Sequence, residues 1–303
     1  MKRILFVIAC LAIAGIQSVK AQPSIAALHH ARRVTLYSGA QLQTVIDKAM
    51  SGDTIYLSEG TFGGGITINK SKIALIGAGE RTVISGTVRI GNGDDAINNL
   101  FLEGLNIRGD INVSGGNVTD IVVSQCQLYS TESGGSYVGM IRVVNMVRCN
   151  LKNTLKGNFT SISLSNSKIK EVSTYHASLN HCNIGKVDSE SDDVGNIYTN
   201  CIIDNFAARS HSSESDKAVL INCLVSGNTQ DAIVENCKKE NSSILDENLE
   251  ASPSFIGNDG TVVGIMGGDT PYTLIPSAPH VSEHKIEVDA ESQKLNVTLT
   301  IEN

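Results

Sequence analysis

Three sets of side chains in this 303-residue sequence have types and spacings that could do chemistry. The first is a run of cysteines. Cys10 lies in the apolar N-terminus, and six more follow: Cys126, Cys149, Cys182, Cys201, Cys223 and Cys237. No two stand at CxxC spacing, so neither a redox pair nor a zinc ribbon is indicated. The second set is acidic. Asp188, Glu190, Asp192 and Asp193 place carboxylates at near-alternate positions in one short stretch, and oxygen ligands so placed could hold calcium. The bland reading is a solvated acidic loop, since no central glycine shapes the stretch as a cation loop. The third set is Tyr175, His176, His181, Tyr198, Arg209 and His211. A base that works near neutral pH beside a cation is what proton abstraction from a uronate sugar needs. Glycines at 63–65, 77 and 79 precede no helix, so they read as turns and not as a phosphate cradle.

These residues need a scaffold, and the N-terminus says where it resides. Lys2 and Arg3, an apolar run from Ile4 to Ile16, and Val19-Lys20-Ala21 form an export signal over residues 1–21. The run is too short to span a bilayer. Val7-Ile8-Ala9-Cys10 has the look of a lipid-anchor motif, but the apolar run continues well past Cys10, so cleavage after Ala21 is the preferred reading. Export predicts a periplasmic, outer-surface or extracellular protein with no transmembrane segment. Without Lys2, Arg3 and Lys20 the chain has 21 basic against 31 acidic side chains, a net charge of −10. That balance opposes nucleic-acid binding.

One helix is predicted over about residues 39–50. Leu42, Val45, Ile46 and Ala49 share a helical face, Ser38 and Gln41 fit a capping box, and Gly52 fits the stop. Short strands follow at Asp53–Leu57, Ile66–Ile68, Ile73–Gly77 and Thr82–Gly86.

From residue 100 the chain repeats about every 19 residues. Leu105, Cys126, Cys149, Ser167, Cys182, Cys201, Cys223 and Cys237 serve as anchors. Three residues before them stand Leu102, Val123, Met146, Leu164, Leu179, Tyr198, Leu220 and Val234. Five before stand Leu100, Ile121, Val144, Ile162, Ala177, Asn196, Ala218 and Ala232, and only Asn196 is polar. Two after stand Ile107, Leu128, Leu151, Ile169, Ile184, Ile203 and Val225, and the last turn breaks the rule at Lys239. Period two within each pair means a strand with one buried face. The slip between pairs means a bend, occupied by Asn166, Asn200, Asn222 and Asn236, whose amides could bond along a stack. Strand, bend, strand and loop in repetition predict an all-β, single-stranded right-handed parallel β-helix over residues 37–280. Ten or so rungs at about 4.8 Å make a rod roughly 50 Å long.

The repeat reinterprets the chemical candidates. All six cysteines of the exported chain fall in the anchor column. Stacked side chains on parallel rungs run side by side, so a buried thiol stack is preferred over the disulfides that export would otherwise suggest. Tyr198 falls in an apolar column and His181 at a bend, so both read as structural.

Residues Gln41 to Gly86, with Gly52-Asp53-Thr54-Ile55 leading to Glu59-Gly60-Thr61-Phe62, resemble the N-terminal cap and first rungs of pectate-lyase-like right-handed parallel β-helix proteins. Pro253 to Pro279, with Gly264-Ile265-Met266-Gly267-Gly268 and Pro271-Tyr272, resembles the closing segment of secreted bacterial members of unassigned function. The resemblance implies the fold and little about activity, because this fold hosts lyases, hydrolases, adhesins and proteins without known activity. No rung shows the arginine and paired carboxylates that the lyases display. Residues 281–303 alternate as a hairpin, read as a cap over the last rung or as a docking strand.

Two functions follow. The preferred one is a non-catalytic surface or secreted protein that binds a polysaccharide or a cell-surface protein or serves a structural role. The alternative is a polysaccharide lyase acting on uronate glycans, with Tyr175, His176, Arg209 and His211 on its active face. Short loops and the absence of Trp weigh against a sugar-cleaving cleft. No cofactor is required, and calcium is the one ion for which the sequence offers ligands.

Overall fold

The computed structural model describes residues 26–28, 33–36, 41–91, 96–113, 118–129, 144–157, 162–187, 195–207, 210, 213–252, 254–275, 280–289 and 294–302. The predicted columns become hydrogen-bonded ladders. In the largest sheet, here sheet A, Leu100, Ile121, Val144, Ile162 and Ala177 are successive partners. Leu179, Tyr198, Leu220 and Val234 continue the neighbouring column. In sheet B, Ile107, Leu128, Leu151, Ile169, Ile184, Ile203, Val225 and Lys239 pair in turn. All these pairings are parallel, and each chain turn adds one strand to each sheet. Crossovers between parallel strands of one sheet wind right-handed. The molecule is thus a right-handed parallel β-helix.

Its interior is one continuous apolar core in which the anchors Leu105, Cys126, Cys149, Cys182, Cys201 and Cys223 are fully buried. Asn196, the polar member of its column, is buried and satisfied: its Oδ1 accepts from Ala177 N at 2.7 Å and its Nδ2 donates to the Thr174 carbonyl at 2.8 Å. A third sheet, Ile66–Ile68, Val88–Ile90 and Ile111–Val113, gives the first rungs a third wall that the columns did not foretell. Sheet A also gains strands before the helix. Arg33–Leu36 pairs in parallel with Thr54–Leu57, and Ala26–Leu28 adds antiparallel.

Helix α1 spans Leu42–Lys48, shorter than the predicted 39–50. Its N-cap is Gln41, which makes no side-chain capping bond, and Ser38 of the expected box lies outside the described residues. The helix closes the first rung. Leu42, Val45 and Ile46 enter the core. Gln43 imitates a neighbouring strand, accepting from Thr67 N at 2.7 Å and donating to the Thr67 carbonyl at 3.0 Å. The Lys70 ammonium donates to the last-turn carbonyls of Ile46, Asp47 and Ala49, groups a helix C-terminus leaves unpaired. Among the described residues no helix is long and apolar enough to cross a membrane.

The bends are left-handed. Gln125, Arg148, Asn166, His181, Asn200, Asn222 and Asn236 all have φ between 45° and 54°. Asn is the commonest of them because it enters this region at least cost after Gly. At the far end, His280–Asp289 and Lys294–Glu302 form an antiparallel hairpin. It does not cap the rod: the last strand of sheet A, Ile233–Glu235, is exposed at all three residues.

Candidate functional site

The rod has a bend edge, a loop edge and a flat sheet A face between them. The bend edge holds the most side-chain chemistry, and the structure uses it for assembly. A strap, Ser243–Ile275, leaves the last rung and runs back along the bends in two passes. It starts on Asp204, whose Oδ1 accepts from Ile244 N and whose Oδ2 accepts from Ser243 Oγ at 2.8 Å. Lys168 then pairs with Glu250, donates to the Asn248 carbonyl at 3.2 Å and lies over the Tyr272 ring at 5.2 Å. On the second pass Asn200 Oδ1 accepts from Asn258 N, and Asn166 Nδ2 donates to the carbonyls of Ile265 at 3.1 Å and Gly267 at 2.7 Å. The strap closes on Gln125, whose amide donates to the Ile275 carbonyl. The Asn166 amide therefore serves the strap, where the sequence reading had it serving a stack of asparagines.

His181 belongs to this edge and is buried as a structural residue. Its Nε2 lies 2.7 Å from Asp259 Oδ2 and its Nδ1 lies 3.2 Å from the Gly264 carbonyl. Desolvation opposes ionisation of Asp259, but the Thr261 N–H and the His181 ring outweigh it and hold the carboxyl below its usual range. Sequence reasoning missed Lys168, Asn183, Asp204 and Asp259. A signal was available one residue after each anchor, where side chains point outward. There Asn106, Gln127, Asn150, Lys168, Asn183, Ile202 and Leu224 are all buried. Ile202 and Leu224 pack under the strap with Ile244, Leu245 and Val263. Apolar residues at an outward position announce a cover.

The cysteine column is likewise structural. All six described thiols are free, five buried and Cys237 partly exposed. Each Sγ lies near the carbonyl two residues back: Ser124 at 3.2 Å from Cys126, Val147 at 3.5 Å from Cys149, Asn180 at 3.4 Å from Cys182 and Thr199 at 3.3 Å from Cys201. Ser167 fills the same place, donating to the Ser165 carbonyl at 2.8 Å. A small group that donates beside the bend is what the position needs, which explains why Ser replaces Cys there. Burial pushes the Cys126 and Cys201 thiols well up and the Cys149 thiol up to about 12. These are poor nucleophiles, since the thiolate is the reactive form.

On the loop edge the described residues bring together Tyr175 and His176. They form the turn between the strands Lys168–Thr174 and Ala177–Asn180, with Tyr175 half-buried and His176 exposed at φ 49°. The His176 ring lies over Gly195 of the next rung, where an added Cβ would come within 2.8 Å of Nδ1. Arg209, His211 and the proposed calcium ligands Asp188, Glu190, Asp192 and Asp193 lie outside the described residues. The described strands on either side of them are neighbours. The strands ending at Thr174, Val187 and Ala207 are adjacent in sheet B, and those beginning at Ala177, Ile197 and Val219 are adjacent in sheet A. No cluster of three or more metal-ligating side chains occurs among the described residues.

The sheet A face is flat and chemically plain. Burial alternates along each strand, with Ser163, Ser178 and Asn180 exposed and Ser165 and Thr199 half-buried. The register sets Ser163 beside Ser178, and Ser165, Asn180 and Thr199 in one row. This central patch offers hydroxyls and an amide, each able to donate and accept, and no ionisable group.

No protein-family model matches the chain, and no curated protein matches it. Among solved structures it is similar to the pectin methylesterase of Aspergillus niger in a penultimately deglycosylated form. That match is 14% identical, covers 81% of this chain and 97% of the other, and has a TM-score of 0.35. The deglycosylated form of the same enzyme gives 14% identity, the same coverages and a TM-score of 0.34. This is a likeness of fold. The class of the protein, a right-handed parallel β-helix, stands on its own ladders.

Proposed function

We propose that this chain is an exported binding solenoid that holds a glycan against the sheet A face without cleaving it. The observation that carries the reading is the neutral row Ser165, Asn180 and Thr199 beside Ser163 and Ser178 on consecutive rungs. Fixed hydroxyl and amide groups on a rigid sheet suit the hydroxyls of an extended sugar chain and pre-organise the contact. The groups that could have served catalysis are engaged elsewhere: the cysteines in the core, and His181 and Lys168 under the strap. Glycan-array binding followed by calorimetry tests the reading. Binding that falls at least tenfold in Ser178→Arg and Asn180→Arg, and is unchanged in His176→Ala, is expected. Binding indifferent to both arginines would refute it.

A second reading is a polyuronate lyase on the loop edge. It is favoured by exposed His176 beside Tyr175, at the end of sheet strands whose neighbours lead in sequence to the acidic residues, Arg209 and His211. Incubation with uronate polysaccharides, with and without calcium, separates the two. A rise in ultraviolet absorbance from unsaturated products that is lost in His176→Ala supports the lyase and overturns the binding reading.

A further inference from the structure

The two ends of the rod differ. At the first rung α1 enters the core and Gln43 satisfies a strand edge. Among the described residues, Ile233–Glu235 terminates sheet A at the last rung and Lys238–Glu240 terminates sheet B, each with one edge unpaired. Val234, an interior-column residue, is 45% exposed, and Ile233 beside it is 39% exposed. An open strand edge with apolar side chains is a template for another strand.

The sequence contains a strand of the right pattern. Leu299-Thr300-Ile301-Glu302-Asn303 repeats the order of Ala232-Ile233-Val234-Glu235-Asn236: apolar, any residue, apolar, Glu, Asn. Ala218-Val219-Leu220-Ile221-Asn222 differs from that pattern in the fourth place alone. Four of the five residues lie in Lys294–Glu302, which pairs with His280–Asp289 in a two-stranded sheet and so keeps one edge unpaired.

This strand cannot reach its own last rung while the hairpin is paired. Ile275 is fixed to Gln125, in the rung of Cys126. From there to the rung of Cys237 is six steps, or about 29 Å at about 4.8 Å each. Rung strands run across the rod, so an added strand must lie across it too, and only the linker to His280 gains length along the axis. Five residues span at most about 17 Å.

We propose that the hairpin of a second copy supplies the next rung, its Leu299–Asn303 pairing in parallel with Ala232–Asn236 of the first. The junction is β-augmentation: backbone bonds give affinity, and the apolar–any–apolar–Glu–Asn register gives specificity. Since α1 covers the core at the other end, the uncovered interior column lies at the last rung, and growth proceeds there.

Size-exclusion chromatography with light scattering, on the purified chain at up to about 100 μM, tests this. Self-association is expected, and it is lost in Leu299→Lys/Ile301→Lys and, separately, in Val234→Lys. Mixing the two variants restores a pair, since one retains the edge and the other the strand. Circular dichroism of both variants matches the parent, so that lost association is not lost fold. A monomer at every concentration, association that survives either variant, or a mixture that stays monomeric overturns the proposal.

Discussion

Raising the pH should weaken the fold through its thiols, and Cys149 shows by how much. Its side chain is fully buried, and desolvation holds its pKa at about 12 against 9.0 for an ordinary thiol. Below pH 9 the thiol is neutral in both states and the shift costs nothing. Above it the unfolded chain loses the proton while the folded chain keeps it, so stability falls as pH rises from 9 towards about 12. At about pH 10.5 the unfolded state has gained 1.5 pH units of ionisation, which at 1.36 kcal/mol per unit is about 2 kcal/mol for this one group. Cys126 and Cys201 shift in the same direction, whereas at Cys223 desolvation is outweighed by hydrogen bonds from Cys201 and Cys237 that pull the other way, so the magnitude holds for Cys149 alone, against a usual total stability of about 5–15 kcal/mol. Lysines and tyrosines titrate in the same range, so the measurement must be a difference. Urea unfolding of the parent and of Cys149→Ala, followed by circular dichroism in reductant, supplies it; the chain has no Trp for fluorescence. The alanine variant is less stable at pH 8, and the gap narrows by about 2 kcal/mol at about pH 10.5, because it lacks the thiol that opposes folding there. A gap that does not change with pH would mean that Cys149 is neither neutral nor buried, and the thiol-stack account would fail.

Other outcomes follow from single contacts. Asn166→Ala should cost about 2–4 kcal/mol, from a left-handed bend without Asn and two strap carbonyls left unpaired, and Asn166→Gly should recover the backbone part; chemical denaturation measures both. Gly267→Ala places a Cβ 1.8 Å from the Val262 carbonyl and 2.4 Å from the His181 ring, so the strap must lift, visible as accelerated hydrogen exchange over Ser243–Ile275. Native thiol titration of the exported chain should report at most one cysteine, the partly exposed Cys237, and slowly because its thiol is pushed up, while denatured titration finds all six; two or fewer on denaturation would indicate disulfides. Ser167→Cys should change stability by less than about 1 kcal/mol in urea unfolding, because the column already accepts both residues.

The rungs were legible because two periodicities coincide. Alternation marks the buried face of each strand, and an anchor that is Cys in six of eight turns marks the bend. Leu102, Val123, Met146 and Leu164 could therefore be aligned by inspection, and they pair in that register. The strap was not legible in the same way. Residues 243–275 have no period, because their contacts are set by carbonyls and glycines fitted to another surface. Asn166 and Asn200 were correctly placed at bends, but what their amides bond to depends on a segment more than 50 residues later. His176 and His181 share a left-handed backbone, though the sequence put only His181 at a bend before an anchor. One faces solvent over Gly195 and the other is buried against Asp259, and only the path of the strap separates them.

That separation decides where a ligand can bind. A solenoid offers long faces, and each face that the chain covers for its own stability is lost to partners. The strap takes the bend edge, including the pair of buried His181 and exposed Asp259 that would otherwise resemble a catalytic dyad. Gly267 and Gly268 lie against the His181 ring and the Gly264 carbonyl faces its Nδ1, so the imidazole is buried away from a substrate. The interior takes the thiols. What stays open is a sheet face with neutral donors and acceptors, and beside it a loop edge where His176 is exposed. Ser163, Ser165, Ser178, Asn180 and Thr199 offer no acid–base group, so the lyase reading rests on the loop edge. A ligand gripped by the sheet face, by contrast, needs nothing more than the rigid spacing of rungs that the core already enforces.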